Sequence, residues 1–163
     1  ADLTEVARIG KESSEDVASL TIGAVLDEVR QDLAPQITEA GAMLDVSLEE
    51  SPLQFSRKNL KSILYNLLSN AVKYHSPDRT PHVRITCRVE GNYQVLTVAD
   101  NGLGMDMRQE HKIFALFKRL HAHVEGTGIG LYIVKRMIEN AGGRIEVESQ
   151  VGVGTTFRVY FRR

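Results

Sequence analysis

Apolar residues recur at two different periods along this chain, and the changes of period mark out its elements. Val25, Leu26, Val29, Leu33 and Ile37 return every three or four positions and predict a helix over 22–40, with Thr21 as its N-cap. Pro35 falls late in that helix and predicts a kink or an early end. Residues 42–48 (AMLDVSL) partly alternate and predict a strand, and EESPLQFS (49–56) reads as a connection. Leu60, Ile63, Leu64, Leu67, Leu68 and Ala71 form the apolar face of the clearest helix, over 57–74. Two prolines make SPDRTP (76–81) a loop. VRITCRVE (83–90) and YQVLTVA (93–99) predict strands of a hairpin turning at Gly91-Asn92.

A short helix near 109–117 and an exposed segment over 118–127 come next. Ile129, Leu131, Ile133, Val134, Met137 and Ile138 predict a helix over 128–140, stopped by Gly142-Gly143. RIEVESQ (144–150) and TTFRVYF (155–161) are the last strands, joined through VGVG. At the other end, Leu3, Val6 and Ile9 form a short stripe ahead of the polar run KESSED, so residues 1–20 read as a helix tail and a linker. Hairpins formed around intervening helices predict an α+β architecture, a mixed sheet with helices on one face.

Composition narrows the picture further. With 163 residues, 42% hydrophobic and 25% charged, the chain is sized for one domain with a real core. A formal net charge of -1 lacks the basic excess of a nucleic-acid binder, and no nucleic-acid partner is expected. No apolar stretch approaches the length of a membrane span, and no secretory signal opens the sequence. Cys87 is the one cysteine, lies in an alternating segment and reads as a small apolar filler. A cytoplasmic location is expected. The chain starts at Ala1 and reads as an excised piece, so a membrane-anchored parent with this domain on the cytoplasmic side stays open.

Four clusters carry candidate chemistry. In NLLSNAVKY (66–74), Asn66 and Asn70 share one helix face and Lys73 lies near it. That face suits either plain solvent or a polar ligand, since an amide oxygen can hold Mg²⁺ and a lysine can neutralise phosphate. DNGLGMD (100–106) follows an apolar strand; its carboxylate could accept from the amino group of a base, or the segment could be a plain turn or part of a calcium loop. In EGTGIGL (125–131), glycines open a helix whose first N–H groups suit phosphate. No strand precedes it and no Gly-Lys-Ser/Thr ends it, which excludes the dinucleotide fingerprint and the Walker loop. GVGTTF (152–157) reads either as a hairpin turn or as part of the same site.

In this order the clusters resemble the catalytic ATP-binding domain of sensor histidine kinases, within the superfamily of gyrase, the heat-shock 90 chaperones and the mismatch-repair ATPases. The resemblance covers residues 21–161: ILYNLLSNAVKY (63–74) is similar to the N-box and DNGLGM (100–105) to the first glycine box. IFALFKRL (113–120) resembles the F-box, GTGIGLYIVKRMIENAGG (126–143) the second glycine box, and GVGTTF the last box. The RLH stretch is reminiscent of the phytochrome-like subgroup. The resemblance divides the chain into a remnant of a dimerisation hairpin helix with its linker (1–20) and a catalytic domain (21–163).

The fold it implies is a Bergerat-type two-layer α/β sandwich, a mixed five-stranded sheet with three main helices on one face and a lid over the nucleotide. The ligands it implies are ATP and Mg²⁺. Asn70 would hold the metal, with Asn66 as a second candidate; Lys73 and Arg119 would meet phosphate and, with Asn66, make up the catalytic set. Tyr74 would pack near adenine, and Asp100 would bind its N6 amino group. Gly102, Gly104, Met105 and Thr156 would shape the base pocket, and Thr127, Gly128, Ile129, Gly130 and Leu131 the phosphate-facing helix start, with Gly126 at the lid end. Phe114 and Phe117 would anchor the lid.

The activity implied is transfer of the γ-phosphoryl group to a histidine, then to an aspartate on a response regulator receiver domain. His75, His82, His111, His121 and His123 all lack the acceptor's context, so the acceptor is expected on a separate dimerisation or phosphotransfer domain. The chain alone is expected to be monomeric, its parent a homodimer, and no histidine-based zinc site is expected. Hydrolysing relatives carry a Glu at the position of Asn66; an amide is no base near neutral pH, so ATP hydrolysis should be very slow. The lid, Leu120 through Gly126, is short. A module that binds nucleotide or a partner without catalysis is the alternative, followed by a serine kinase or ATPase of the same superfamily.

Overall fold

The computed structural model describes residues 17–109, 113–114 and 129–163. Its first elements are β1 (Val17–Leu20), α1 (Ile22–Asp32), α2 (Ala34–Ala40), β2 (Met43–Leu48), β3 (Leu53–Ser56) and α3 (Arg57–Lys73). There follow β4 (His82–Glu90), β5 (Tyr93–Asp100), a single 3₁₀ turn (Met107–Gln109), α4 (Ile129–Asn140), β6 (Arg144–Gln150) and β7 (Gly154–Arg162). The short helix expected near 109–117 falls mostly outside the described residues.

Side-chain caps start two of the helices. Thr21 Oγ1 accepts from the Ala24 N–H at 3.3 Å at the head of α1, and Ser56 Oγ accepts from Asn59 N–H at 3.2 Å at the head of α3. The expected 22–40 helix divides at Leu33, because Pro35 cannot donate within a helix interior but fits a first turn; α2 therefore starts afresh. Gly41 ends α2 in the left-handed region at φ 64°. All six residues of the predicted α3 face are at most 4% exposed.

The five-stranded sheet has the order β2-β4-β5-β7-β6. Only the β2–β4 pair is parallel; the other pairs are antiparallel, so the sheet is mixed, as expected. Its register places Val83, Ile85, Cys87, Leu96, Val98, Phe157, Val159 and Phe161 on one face, all buried. Helices α1, α3 and α4 pack with that face to form the core. Glu28 pairs with Arg57, and Lys61 lies 3.2 Å from Asp32, tying α1 to α3 at the surface. The other face carries Arg144, Glu146, Glu148, Arg158 and Tyr160, with the Arg144 guanidinium 3.7 Å above the Tyr160 ring.

One feature departs from the sequence reading. Residues 17–20, placed in a linker, and LQFS, placed in a connection, pair antiparallel as a separate two-stranded sheet, Val17 opposite Ser56 and Leu20 opposite Leu53. Leu53 and Phe55 are buried, and the Phe55 ring meets Phe161 edge-on at 5.3 Å. Four residues after a proline are too short for alternation to register as a strand; the burial that stabilises them comes from β7, about a hundred residues further along. Gln94 interrupts the apolar face of β5 for a related reason: it is 1% exposed and donates to the Ser51 and Pro52 carbonyls at 3.2 and 3.0 Å, satisfying backbone at the entry to β3.

Candidate functional site

Asp100 is the last residue of β5. It sits opposite Val83 and Thr155 and shares the core-facing side of the sheet with Leu96 and Val98. Its carboxylate therefore emerges between the sheet and the helix layer. Oδ1 accepts from Gly102 N–H at 2.9 Å and from Thr155 N–H at 3.3 Å. Among the described residues, Oδ2 makes no hydrogen bond. Burial pushes the Asp100 pKa up to about 6, against the two backbone donors and the positive field of Arg79, which pull it down.

The loop after Asp100 is held on every side. Leu103 N–H donates to the Tyr74 carbonyl at 2.9 Å, which joins the loop to the C-terminal end of α3. Gly152 N–H donates to the Leu103 carbonyl at 2.8 Å, and Met105 N–H to Ser149 Oγ at 2.7 Å. Ser149 Oγ also lies 2.7 Å from Thr155 Oγ1. Gly102 lies so close to Tyr74 that a Cβ would run into its carbonyl oxygen. Gly104 has φ 72°, and a Cβ there would run into the Gln150 carbonyl. The glycines of DNGLG are thus needed to bring the loop against α3 and β6.

On α3, Asn66 Nδ2 donates to the Ser62 carbonyl at 2.7 Å. That orients Oδ1 toward the start of α4, where a Cβ on Gly130 would collide with it. The N-box helix and the helix after the second glycine box therefore meet at Asn66 and Gly130. Asn70 is half-buried one turn further on, and its carbonyl accepts from Tyr74 N–H at 3.0 Å. Lys73 is exposed and lines a groove of about 610 Å³ between α2 and α3, together with Glu39, Tyr65, Ser69 and His75. Leu131 is buried in the core, and Met105 packs against it.

Thr156 is not on the side of Asp100. It pairs with Ala99 and Glu148 and faces the open side of the sheet, because alternate residues of a strand point to opposite faces. Thr155 occupies the position expected of Thr156: its N–H reaches Asp100, and its side chain is 7% exposed. The sequence pair Thr-Thr could not be resolved without the register. Arg119, Gly126, Thr127, Gly128, the short lid, Phe117, His111, His121 and His123 lie outside the described residues, as does the side chain of Ile129. Phe114 is described and meets Phe157 edge-on at 6.3 Å.

Arg79 escaped the sequence reading, and Asn101 stood inside DNGLGMD without a role of its own. Arg79 donates to the carbonyls of Asn101 and Gly102 at 2.6 and 2.7 Å, and to that of Gly152 at 2.9 Å. Asn101 ties the loop to the start of β4: its Oδ1 accepts from His82 N–H at 2.8 Å and its Nδ2 donates to the Thr80 carbonyl at 3.0 Å. Neither belongs to a periodic segment, and nothing in the local pattern distinguishes them from loop residues.

The donor set fits a purine nucleotide with a divalent cation. A half-buried carboxylate keeps one oxygen for an amino group, and amide oxygens and a lysine lie along the adjacent helix. A sheet backed by helices, with this carboxylate at a strand end and glycine loops closing on it, defines the class of nucleotide-binding ATPase and kinase domains expected from the sequence. Residues 56–163 match the family of histidine kinase-, DNA gyrase B- and HSP90-like ATPases, and the chain belongs to it.

The methanogenesis regulatory histidine kinase FilI of Methanothrix harundinacea is 32% identical across 94% of this chain. Cyanobacterial phytochrome A of Nostoc is 37% identical across 81% of it. The chain spans 17% of the length of each of these relatives. Full-length ShkA, solved with AMPPNP, superposes with a TM-score of 0.81 at 26% identity, over 99% of this chain and 35% of that one. The chain is accordingly an ATP-binding catalytic domain of the histidine kinase superfamily.

Proposed function

We propose that this domain binds ATP with Mg²⁺ and transfers the γ-phosphoryl group to a histidine on a dimerisation or phosphotransfer hairpin, for relay to an aspartate of a response regulator receiver domain. The observation that carries this reading is Asp100. It presents a carboxylate oxygen, Oδ2, that makes no hydrogen bond among the described residues and stands free to accept from the donor group of a ligand between sheet and helices. An adenine amino group is such a donor, and guanine carries an acceptor at the same position.

With the base at Asp100, the triphosphate would lie along α3 toward the start of α4, where Asn66 meets Gly130. Asn70 would hold Mg²⁺, which neutralises the phosphate oxygens when bound, and Asn66 lines the same stripe beside Gly130. Lys73, Arg119 and the first N–H groups of the second glycine box would meet the remaining phosphate charge. In the reaction the bond from the γ-phosphorus to the bridging oxygen breaks, ADP leaves, and a bond to the imidazole nitrogen forms. The imidazole must be neutral to attack. Positioning and charge neutralisation are the domain's contribution. Asn66 supplies no base, which favours transfer to an external nucleophile over hydrolysis.

The domain would work on the cytoplasmic side of a soluble or membrane-anchored parent, dimeric through its hairpin. Incubation with labelled ATP, Mg²⁺ and a separately made histidine hairpin tests the proposal. Acid-labile label on the hairpin is expected. Label on serine would place the domain in another branch of the family, and absence of ATP binding at millimolar concentration by the folded chain would refute the reading.

A further inference from the structure

We propose that Arg79 is a positioning residue for the base end of the site, clamping the 101–105 loop to the 151–154 turn so that Asp100 and Thr155 keep one spacing. This rests on the nucleotide reading above. The Arg79 side chain is the one group among the described residues that bonds both segments through their carbonyls. Nε donates to Asn101 O at 2.6 Å, and Nη2 donates to Gly102 O at 2.7 Å, Gly152 O at 2.9 Å and Val153 O at 3.3 Å. The first pair of carbonyls follows β5 and the second precedes β7, about fifty residues apart in sequence.

Four N–H groups of the 101–105 loop are used on its inner side. Asn101 N–H bonds His82 O, Gly102 N–H bonds Asp100 Oδ1, Leu103 N–H bonds Tyr74 O, and Met105 N–H bonds Ser149 Oγ. The carbonyls of Asn101 and Gly102 are therefore left without an N–H partner from within the loop, and the planar guanidinium fork meets them together with those of the 151–154 turn.

Asp100 Oδ1 reads out the clamp. It accepts one N–H from each clamped segment, Gly102 from the loop and Thr155 from the strand after the turn. Sliding of one segment against the other breaks one of these bonds and turns the carboxylate. Arg79 is itself well placed to act as a clamp, since its loop is fixed by the Asn101 side chain at Thr80 and His82. A lysine keeps the charge but lacks the planar fork in which Nε meets Asn101 O while Nη2 meets the other three carbonyls, so it cannot hold all four at once in one fixed geometry.

The test compares the unaltered chain with Arg79→Lys and Arg79→Gln. Dissociation constants for ATP and GTP are measured by calorimetry, and the melting midpoint without nucleotide by circular dichroism. Both variants are expected to bind ATP about tenfold or more weakly at a temperature where they are folded, as the loss of hydrogen bonds to a charged group implies. Their preference for ATP over GTP should shrink by a similar factor, because Asp100 no longer holds one orientation. A lowered melting midpoint with unchanged ATP affinity and unchanged base preference would overturn the proposal, showing Arg79 to be merely structural. If Arg79→Gln fails to fold, Arg79→Lys decides alone, and an undiminished ATP preference in it overturns the clamp. Normal ATP binding by the variants rejects the role of Arg79 only, whereas no ATP binding by the unaltered chain rejects the nucleotide reading and the clamp with it.

Discussion

Replacing Asp100 by Asn separates what this carboxylate does for the ligand from what it costs the fold. Burial raises its pKa from 3.8 to about 6. The folded state therefore holds a proton between about pH 4 and 6 that the unfolded chain has released. Its contribution to stability is fully present below the unfolded pKa and is lost as the pH rises through about 6. At about 1.4 kcal/mol per unit, the ionised side chain costs on the order of 3 kcal/mol near pH 8. An asparagine keeps an oxygen for the Gly102 and Thr155 N–H groups, at somewhat reduced strength. The variant should be more stable than the parent by about 1–3 kcal/mol at pH 8, with the gain vanishing toward pH 4.

The same two donors fix the amide's orientation, with Nδ2 where Oδ2 stood. A donor would then face the adenine amino donor, and ATP affinity should fall by about tenfold to a hundredfold, as loss of a hydrogen bond to a charged group implies. In the unaltered chain, protonation of the same carboxyl should weaken ATP binding as the pH falls through about 6. Arg79 from the 76–81 loop is the charged group that opposes this protonation, while the Gly102 and Thr155 amides that meet the carboxylate are neutral donors. Urea denaturation at pH 8 and pH 4 gives the stabilities, and calorimetry with ATP gives the affinities. A variant that is less stable at pH 8 and binds ATP as the parent does would refute the reasoning on both counts.

Gly104→Ala should destabilise the domain by about 2 kcal/mol or more in urea denaturation, since φ 72° strains any side chain and the new Cβ meets the Gln150 carbonyl; an unchanged midpoint would contradict this geometry. Cys87 is 2% exposed, and burial, helped by Glu49 and Glu50, pushes its thiol up to about 11. It should resist thiol reagents at pH 8 until urea unfolds the chain, and prompt labelling of the native protein would argue against the described packing. With Asn66 in place of a carboxylate base, phosphate release from ATP without a histidine acceptor should stay near the uncatalysed background in a coupled assay. Steady turnover would mean that another group activates water.

Most of the architecture could be read from periodicity. The α3 face from Leu60 to Ala71, the hairpin at Gly91-Asn92 and the strand pair around VGVG all appear where the pattern puts them, because each buries a continuous apolar stripe on its own. The misses share a cause. LQFS and Val17–Leu20 are short; LQFS gains its burial from distant residues such as Phe161, and Val17–Leu20 stays largely exposed and is held by its pairing with LQFS. Pro35 announced a break in the first helix, but its placement at Leu33 depended on how α2 restarts.

The chemistry of the site was legible where residue type alone carries it: the carboxylate after an apolar strand, glycines where backbone must approach, amides at helical spacing. These signals are local, because a side chain's donors, a glycine's missing Cβ and a helix period are properties of a few consecutive residues. Which threonine of Thr155-Thr156 faces Asp100 was not local; it follows from a register set by pairing with β5. The clamp by Arg79 was not local either, since its four carbonyls come from segments that folding alone brings together. Partners distant in the chain leave no periodic trace, and the burial that raises the Asp100 pKa exists only once sheet and helices have closed around it.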